Sequence, residues 1–249
     1  MIHDAANSLT WSTATIRRVG GCADHQDAGA VVVDSQDRFC AVLADGIGGL
    51  GGKQAIAAVQ AAFAQPAESE AATVCSCLHA AQDVVLIGQR QHPERAGSRT
   101  TGVALLIQAG RAIWAHSGDS RLCLFRAGTV AFRTGDHRVV PQRGQSATLH
   151  TAPIRPRQNR SWVLTMRDKP GDPCLMALPE PVLLQPDDAF LLGSAGLWEY
   201  VTELEMIADR LKTTTPAEWL ELLEYRVLSR ASADHDHYAA VAVWIVACP

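Results

Sequence analysis

The chain has 249 residues, 47% of them apolar and 19% charged, with a net charge of −4. This is a globular composition, long enough to bury a sizeable core without disulfide staples, and its acidic balance argues against a general nucleic-acid or anionic-membrane binder. No uninterrupted apolar run reaches the roughly 18 residues of a membrane span, Met1-Ile2-His3-Asp4 lacks the basic start of a secretory signal, and seven cysteines without a repeated short spacing predict reduced thiols and a cytoplasmic setting.

In chain order, residues 1–13 read as a leader or edge strand, and Thr13 to Val19 as the first strand. The polar loop Cys22-Ala23-Asp24-His25-Gln26-Asp27 runs into the strand-like Ala28–Val33; Asp34–Asp37 is a turn, and Arg38 to Ala44 is the return strand. Asp27 opens one strand of this hairpin and Asp45 closes the other, so an antiparallel pairing puts both carboxylates on one edge of the sheet. Gly46, Gly48, Gly49, Gly51 and Gly52 follow, five glycines in seven residues, where a ligand could approach the main chain closely. Alone, Asp45-Gly46 is an ordinary turn signal.

Residues 53–65 and about 71–92 carry helical periodicity and are parted by Gln65-Pro66. Three strand-like runs follow, Thr101 to Gln108, Ala112 to His116 and Leu122 to Arg126, with Ser117-Gly118-Asp119-Ser120-Arg121 between the last two. From about 141 to 175, prolines at 141, 153, 156, 170 and 173 among arginines and lysines predict a flap that leaves the core. Ala189–Gly193 reads as a buried strand ending in Ser194-Ala195-Gly196-Leu197-Trp198. Helices are predicted from Glu203 to Lys212 and from Pro216 to Arg230, the second with Thr215 as N-cap and Glu218 as its capping-box partner. Asp234-His235-Asp236-His237 opens a last strand, Tyr238 to Ala247. Strands, two helices, strands, flap, strand, two helices and strand make an α+β fold: a single domain over 1–249 with two packed antiparallel sheets and helix pairs outside, an αββα sandwich.

Asp27, Asp45, Asp119 and Asp234 or Asp236 thus stand at strand ends. Carboxylates that converge on one cleft need cations, or they raise each other's pKa. No Cys-x₅-Arg loop and no Gly-x₄-Gly-Lys-Ser/Thr loop is present, which argues against a cysteine phosphatase and a P-loop NTPase.

On five ordered stretches the chain resembles the PPM, or protein phosphatase 2C-type, metal-dependent serine/threonine phosphatases. They are Gln26-Asp27-Ala28, Asp45 to Gly49, Ser98 to Thr101 with Gly118 to Arg121, Ser194 to Trp198, and Asp236 with the strand after it; Asp136-His137 and Arg157 to Arg160 look like further landmarks. The resemblance implies two Mg²⁺ or Mn²⁺ ions, with a possible third. Asp45 would bridge the two, the Gly46 carbonyl would bind one, Asp236 would complete a site, and Asp27 and Asp119 would support neighbouring ions. It implies hydrolysis of a phosphoserine or phosphothreonine monoester by direct attack of water, with Asp45 and Asp236 as the catalytic carboxylates. The compact length looks like the stand-alone bacterial members that oppose a Ser/Thr kinase, and Trp198-Glu199-Tyr200-Val201 is similar to those linked to type VI secretion. The partner expected is a phosphorylated protein, with no nucleic acid or membrane, and the chain is expected to be a monomer.

The chain also departs from the family pattern. Ala195 stands where the family has a ligand aspartate, Cys22 where it has a phosphate-binding arginine, His25 where it has an asparagine, and His237 where an asparagine follows the last aspartate. Arg17 or Arg18 is the candidate to reach phosphate instead, and His25 or His137 the candidate general acid. The expectation is a phosphatase weakened by the missing ligand, the alternative being a pseudophosphatase that binds a kinase or phosphoprotein without turnover.

Overall fold

A computed structural model describes residues 9–21, 28–33, 38–47, 52–95, 98–140, 148–150, 162–163 and 175–247. In chain order the elements are β1 (Leu9–Arg18), β2 (Ala28–Val33), β3 (Phe39–Ala44), β4 (Gly46–Ile47), α1 (Gly52–Phe63) and α2 (Glu70–Gln91), then a 3₁₀ turn at Pro93–Arg95. Next come β5 (Arg99–Thr100), β6 (Gly102–Gln108), β7 (Arg111–Ser117), β8 (Arg121–Arg126), β9 (Thr129–Arg133), β10 (Arg138–Val140), β11 (Thr148–His150), β12 (Trp162–Val163), β13 (Met176–Ala177) and β14 (Val182–Leu183). The chain closes with β15 (Ala189–Gly193), α3 (Ala195–Trp198), α4 (Glu203–Arg210), α5 (Pro216–Arg230) and β16 (Tyr238–Ala247).

Among the described residues, one antiparallel sheet runs β1-β16-β15-β8-β9 and the other β13-β7-β6-β3-β2, with β14 also on β7. They face each other across Phe39, Leu43, Leu105, Trp114, Leu122, Phe190, Leu192, Val241 and Val243. The alternate residues of the same strands face the helices. Cys40, Val42, Ala104 and Leu106 pack on Val59, Phe63, Val74 and Leu78 of α1 and α2. Leu191, Ala240, Ala242 and Trp244 pack on Leu197 of α3 and on Trp219, Leu220 and Leu223 of α5. Strands buried on both faces read as unbroken apolar runs, and this is why Phe39–Ala44 shows no polar alternation and is buried throughout. The result is the αββα sandwich expected from the order of elements.

Several details differ from the sequence expectation. The first strand is longer, Leu9–Arg18, because it pairs with β16 along its whole length, from Leu9↔Ala247 to Arg18↔Tyr238. Strand β9 was not anticipated; it completes a hairpin with β8 across a tight turn in which Ala127 and Gly128 both take positive φ. Within the predicted flap, β10 pairs with β11 and β12 in a small sheet, and the remainder of 141–174 lies outside the described residues. Thr215 caps α5 by accepting from the Glu218 main-chain N–H, but the Glu218 carboxylate turns to the N–H and hydroxyl of Thr214. The complete capping box is one helix earlier, between Thr202 and Glu205.

The 22-residue α2 has the length and mean hydropathy of a membrane span. Its apolar content is explained by its place in the fold, since Val74, Cys77, Leu78, Ala81 and Val85 are buried.

Candidate metal centre

The register brings the acidic strand ends to one end of the sandwich. Ala28 pairs with Ala44, which places the start of β2 beside the end of β3. Gly102 pairs with Ser117, and Gly193 with both Arg121 and Ala240. The ends of β3, β7 and β15 and the starts of β8 and β16 therefore share an edge. Asp45, Asp119, Ala195 and Asp236 all leave from it. Asp27 lies outside the described residues, as do Cys22, His25 and Arg157 to Arg160.

Asp45 is fixed through its main chain. Its N–H donates to Thr101 Oγ1 at 3.2 Å, and its carbonyl accepts from the Thr101 N–H at 2.8 Å and from the Thr100 hydroxyl at 3.2 Å. Gly46 pairs with Thr100 in the short β4–β5 ladder. Thr101 Oγ1 lies 2.6 Å from Ser120 Oγ, which ties the Asp45 turn to the loop that carries Asp119.

That loop is braced from behind. Asp119 is 8% exposed, and its carbonyl accepts from Trp198 Nε1 at 3.0 Å. Arg121 lies 3.5 Å above the Trp198 ring and forms a two-pronged bond to Asp136, Nε to Oδ1 at 2.8 Å and Nη2 to Oδ2 at 3.1 Å. Asp136 is nearly buried, so breaking this pair would cost about 3–5 kcal/mol. His137 Nδ1 accepts from the Gly118 N–H at 3.3 Å, its own N–H donates to the Gly118 carbonyl at 2.9 Å, and its ring stacks on His116 at 4.6 Å. Burial pushes the His116 imidazole below its ordinary pKa. His137 is 2% exposed and serves to position the loop; the structure does not present it to solvent as the expected acid.

Across the cleft, His237 joins the two remaining carboxylates. Its Nε2 is 3.3 Å from Asp45 Oδ1, its Nδ1 is 3.1 Å from Asp236 Oδ1, and its N–H donates to Asp236 Oδ1 at 2.9 Å. The Asp45 and His237 side chains are 15% and 9% exposed, whereas that of Asp236 is 66% exposed. Arg18, a candidate for phosphate, is engaged elsewhere: it bonds Glu224 of α5 through Nε at 2.5 Å and Nη2 at 3.0 Å. Strand alternation turns Arg17 to the opposite face, toward the second sheet and at the same end as the site.

Oxygen donors at Asp45 with an imidazole nitrogen beside them suit a divalent cation chemically. Among the described residues, however, no group of three His, Cys, Asp or Glu side chains that could hold a metal ion is found. The described residues do not by themselves assemble the ligand set of the two-ion centre that the resemblance implies.

Sequence reasoning grouped Thr101 with the Asp119 loop, and the structure joins them. It did not foresee the Trp198 bond to Asp119 or the place of His237 between Asp45 and Asp236. The signal for the second was present, since His237 adjoins Asp236 at the mouth of β16, but its reach to Asp45 is set by a contact 192 residues apart in sequence.

Two facing antiparallel sheets between helix layers are the architecture of the PPM-type serine/threonine phosphatases, and the chain has that fold. It superposes on the catalytic domain of the serine/threonine protein phosphatase PstP, solved in complex with two manganese ions, with a TM-score of 0.70 and 22% identity over 96% of this chain and 100% of that one. It superposes on PppA, a key regulatory component of T6SS in Pseudomonas aeruginosa, with a TM-score of 0.68 and 23% identity over 96% of this chain and 98% of that one. In sequence it is 35% identical over 140 residues to the Homo sapiens protein named "Probable protein phosphatase 1N", a match over 48% of this chain and 32% of that protein. The Mus musculus counterpart is 33% identical over 142 residues, 49% of this chain and 35% of that one, so the chain spans about a third of the length of the curated relatives it matches. No protein-family model matches the chain.

Proposed function

We propose that the chain is a metal-dependent phosphoprotein phosphatase of the PPM type that hydrolyses phosphoserine or phosphothreonine, with turnover lowered by Ala195. The observation that carries this reading is the meeting of Asp45 and Asp236 through His237 at the carboxylate-bearing edge of a PPM fold. Asp45 would hold a Mg²⁺ or Mn²⁺ ion, with the Gly46 carbonyl, Asp27 and Asp119 as the further donors named by the resemblance. When bound, such an ion neutralises phosphoryl oxygen charge and acidifies water. The protein's part is positioning: Thr100 and Thr101 fix the Asp45 main chain, and Trp198 and Arg121 fix the Asp119 loop. Arg17 is the residue we assign to the substrate phosphate, since Arg18 is held by Glu224. The substrate class is a phosphorylated protein opposed by a Ser/Thr kinase, in the cytoplasm; the likeness to PppA and the Trp198-Glu199-Tyr200-Val201 stretch support a link to type VI secretion.

A second reading, a pseudophosphatase that binds its partner without turnover, is favoured by Ala195 itself, because a methyl group cannot ligate. Phosphatase activity on a phosphothreonine peptide with millimolar Mn²⁺ separates the two. We expect weak turnover by the chain, loss with Asp45→Asn, and a gain of at least about tenfold with Ala195→Asp, the scale of restoring an interaction around a metal. Absence of turnover in the chain and in Ala195→Asp, with no metal bound by either, would leave the binding role.

A further inference from the structure

We propose that a cavity on the helix side of β8, β9 and β15, behind the Asp119 loop, binds a small zwitterion with an apolar body. A free amino acid of the leucine, methionine or phenylalanine kind is such a ligand. The site is separate from the carboxylate edge and does not depend on turnover there.

The strand register builds the cavity. Cys123 of β8 pairs with Leu191 of β15 and with Arg133 of β9, so the three side chains leave one face of the sheet. Helices α3 and α4 cover that face, but α3 has only four residues, and Gly193, paired with Arg121, contributes no side chain. A cavity of about 300 Å³ remains, at the lower end of small-molecule sites. Its floor is apolar: Leu191, Leu197, Val201 and Met206 are each no more than 3% exposed. Cys123 belongs to the floor as a packing surface. Burial pushes its thiol pKa up to about 12, so binding there is non-covalent.

The mouth is charged. Arg133 and Glu203 line it 3.1 Å apart, with side chains 34% and 42% exposed. An ion pair this exposed is worth little, so it opens at small cost. Arg121, the third charged group, is already committed to Asp136. The opened pair therefore offers one cation and one anion side by side, with no net charge. An α-amino acid carries the complementary carboxylate and ammonium on a single carbon, and the floor would take its apolar side chain from water. A fatty carboxylate, an amine or either end of a peptide satisfies one partner and leaves the other charge unmatched.

An occupant would touch the brace of the Asp119 loop. Trp198 and Arg121 both line the cavity. Trp198 Nε1 donates to the Asp119 carbonyl at 3.0 Å, and Arg121 lies 3.5 Å above the Trp198 ring. Filling the cavity is thereby coupled to the carboxylate edge through one hydrogen bond.

The test is ¹H–¹⁵N NMR of the unmodified chain titrated with leucine, methionine and phenylalanine, and with the amide and the deaminated acid of each. We expect at least one amino acid to give saturable shifts of the Trp198 indole N–H and of the Asp119 and Ser120 amides. Its amide, which lacks the carboxylate, and its deaminated acid, which lacks the ammonium, should each bind at least about tenfold more weakly. Arg133→Gln leaves the floor intact; it should weaken the amino acid by at least about tenfold and bring it level with its amide. No saturable shift with any of the three, equal binding by either derivative, or unchanged binding in Arg133→Gln would overturn the assignment. Shifts confined to α4 that spare Trp198 and Asp119 would overturn the coupling.

Discussion

Gly196→Ala tests the contact that links the Ala195 turn to His237. The added Cβ would lie 2.2 Å from the His237 carbonyl oxygen, 3.1 Å from its carbon and 3.1 Å from Tyr238 Cβ. Ordinary contact begins near 3.4 Å, so the two segments must part by about 1 Å. Neither yields easily. On one side, β16 is paired with both β1 and β15. On the other, Ser194 exchanges hydrogen bonds with Ala239, N–H to carbonyl at 3.0 Å and Ala239 N–H to Oγ at 2.9 Å, and Trp198 is tied to the Asp119 carbonyl. Overpacking costs about 1–3 kcal/mol, and main-chain atoms on both sides put this case near the top, about 3 kcal/mol. Gly193→Ala provides the comparison, because its Cβ would meet only Leu197 Cδ2, at 3.0 Å, the end of a flexible side chain. It should cost less than about 1 kcal/mol by the same reasoning. Equilibrium urea denaturation measures both, with calorimetry following Mn²⁺ affinity as the His237 carbonyl is displaced. A loss below about 0.5 kcal/mol for Gly196→Ala, or the reverse ranking of the two glycines, would refute the argument from packing.

Two predictions address stability away from the cleft. Asp188 is fully buried and accepts from Arg126 Nε and Nη2, each at 2.7 Å, and from the Gln185 N–H at 2.8 Å. Asp188→Ala strands these donors, but the Arg126 side chain is 25% exposed and can hydrate, so the loss should be about 3 kcal/mol, the lower end for a broken buried pair. A loss under about 1 kcal/mol in urea denaturation would show that the pair is solvated. Glu205 is held well below its ordinary carboxyl pKa of 4.5, first by its bond to Arg230 and then by the Thr202 main chain and hydroxyl. Its folded-state pKa is depressed, so its stabilisation is complete above about 4.5 and is lost as pH falls below that value toward the lowered one. Urea midpoints measured from pH 7 down to pH 3 should drop less steeply in Glu205→Gln than in the unmodified chain, and parallel curves would contradict the assignment.

The sandwich was legible in the sequence because each layer left a local mark. Phe39–Ala44 and Ala189–Gly193 read as doubly buried strands, and α1, α2 and α5 showed helical periodicity or caps. Strand β9 was less legible: Thr129–Arg133 is an edge strand with only two of its five residues partly buried, and its hairpin turn uses Ala127 at positive φ where an asparagine or aspartate would have signalled it. The same contrast holds at the candidate site. Asp45 and Asp119 stood out because strand ends and glycines flank them. Arg121 was visible only as the end of the Gly118–Arg121 stretch, and its partners were not, because Asp136 and Trp198 are brought in from another strand end and from α3. Those contacts are set by the crossing of β7 to β8 from one sheet to the other, which no local pattern encodes.

The departures from the family pattern are unevenly distributed over the described part of the site, and that distribution bears on function. On the side of β3, β5 and the β7–β8 loop, the supports of Asp45 and Asp119 are intact, down to the 2.6 Å contact of Thr101 with Ser120. Ala195 and His237 both lie on the side of β15 and β16, and they adjoin across one contact, since Gly196 next to Ala195 rests on the His237 carbonyl. His237 Nε2 in turn lies 3.3 Å from Asp45 Oδ1. Restoring Asp at 195 while His237 remains therefore adds a carboxylate near an imidazole that already bonds Asp45. The proposed gain from Ala195→Asp is therefore to be measured both alone and together with His237→Asn; a gain confined to the double variant would show that the two positions act as one, and equal gains would show that they are independent.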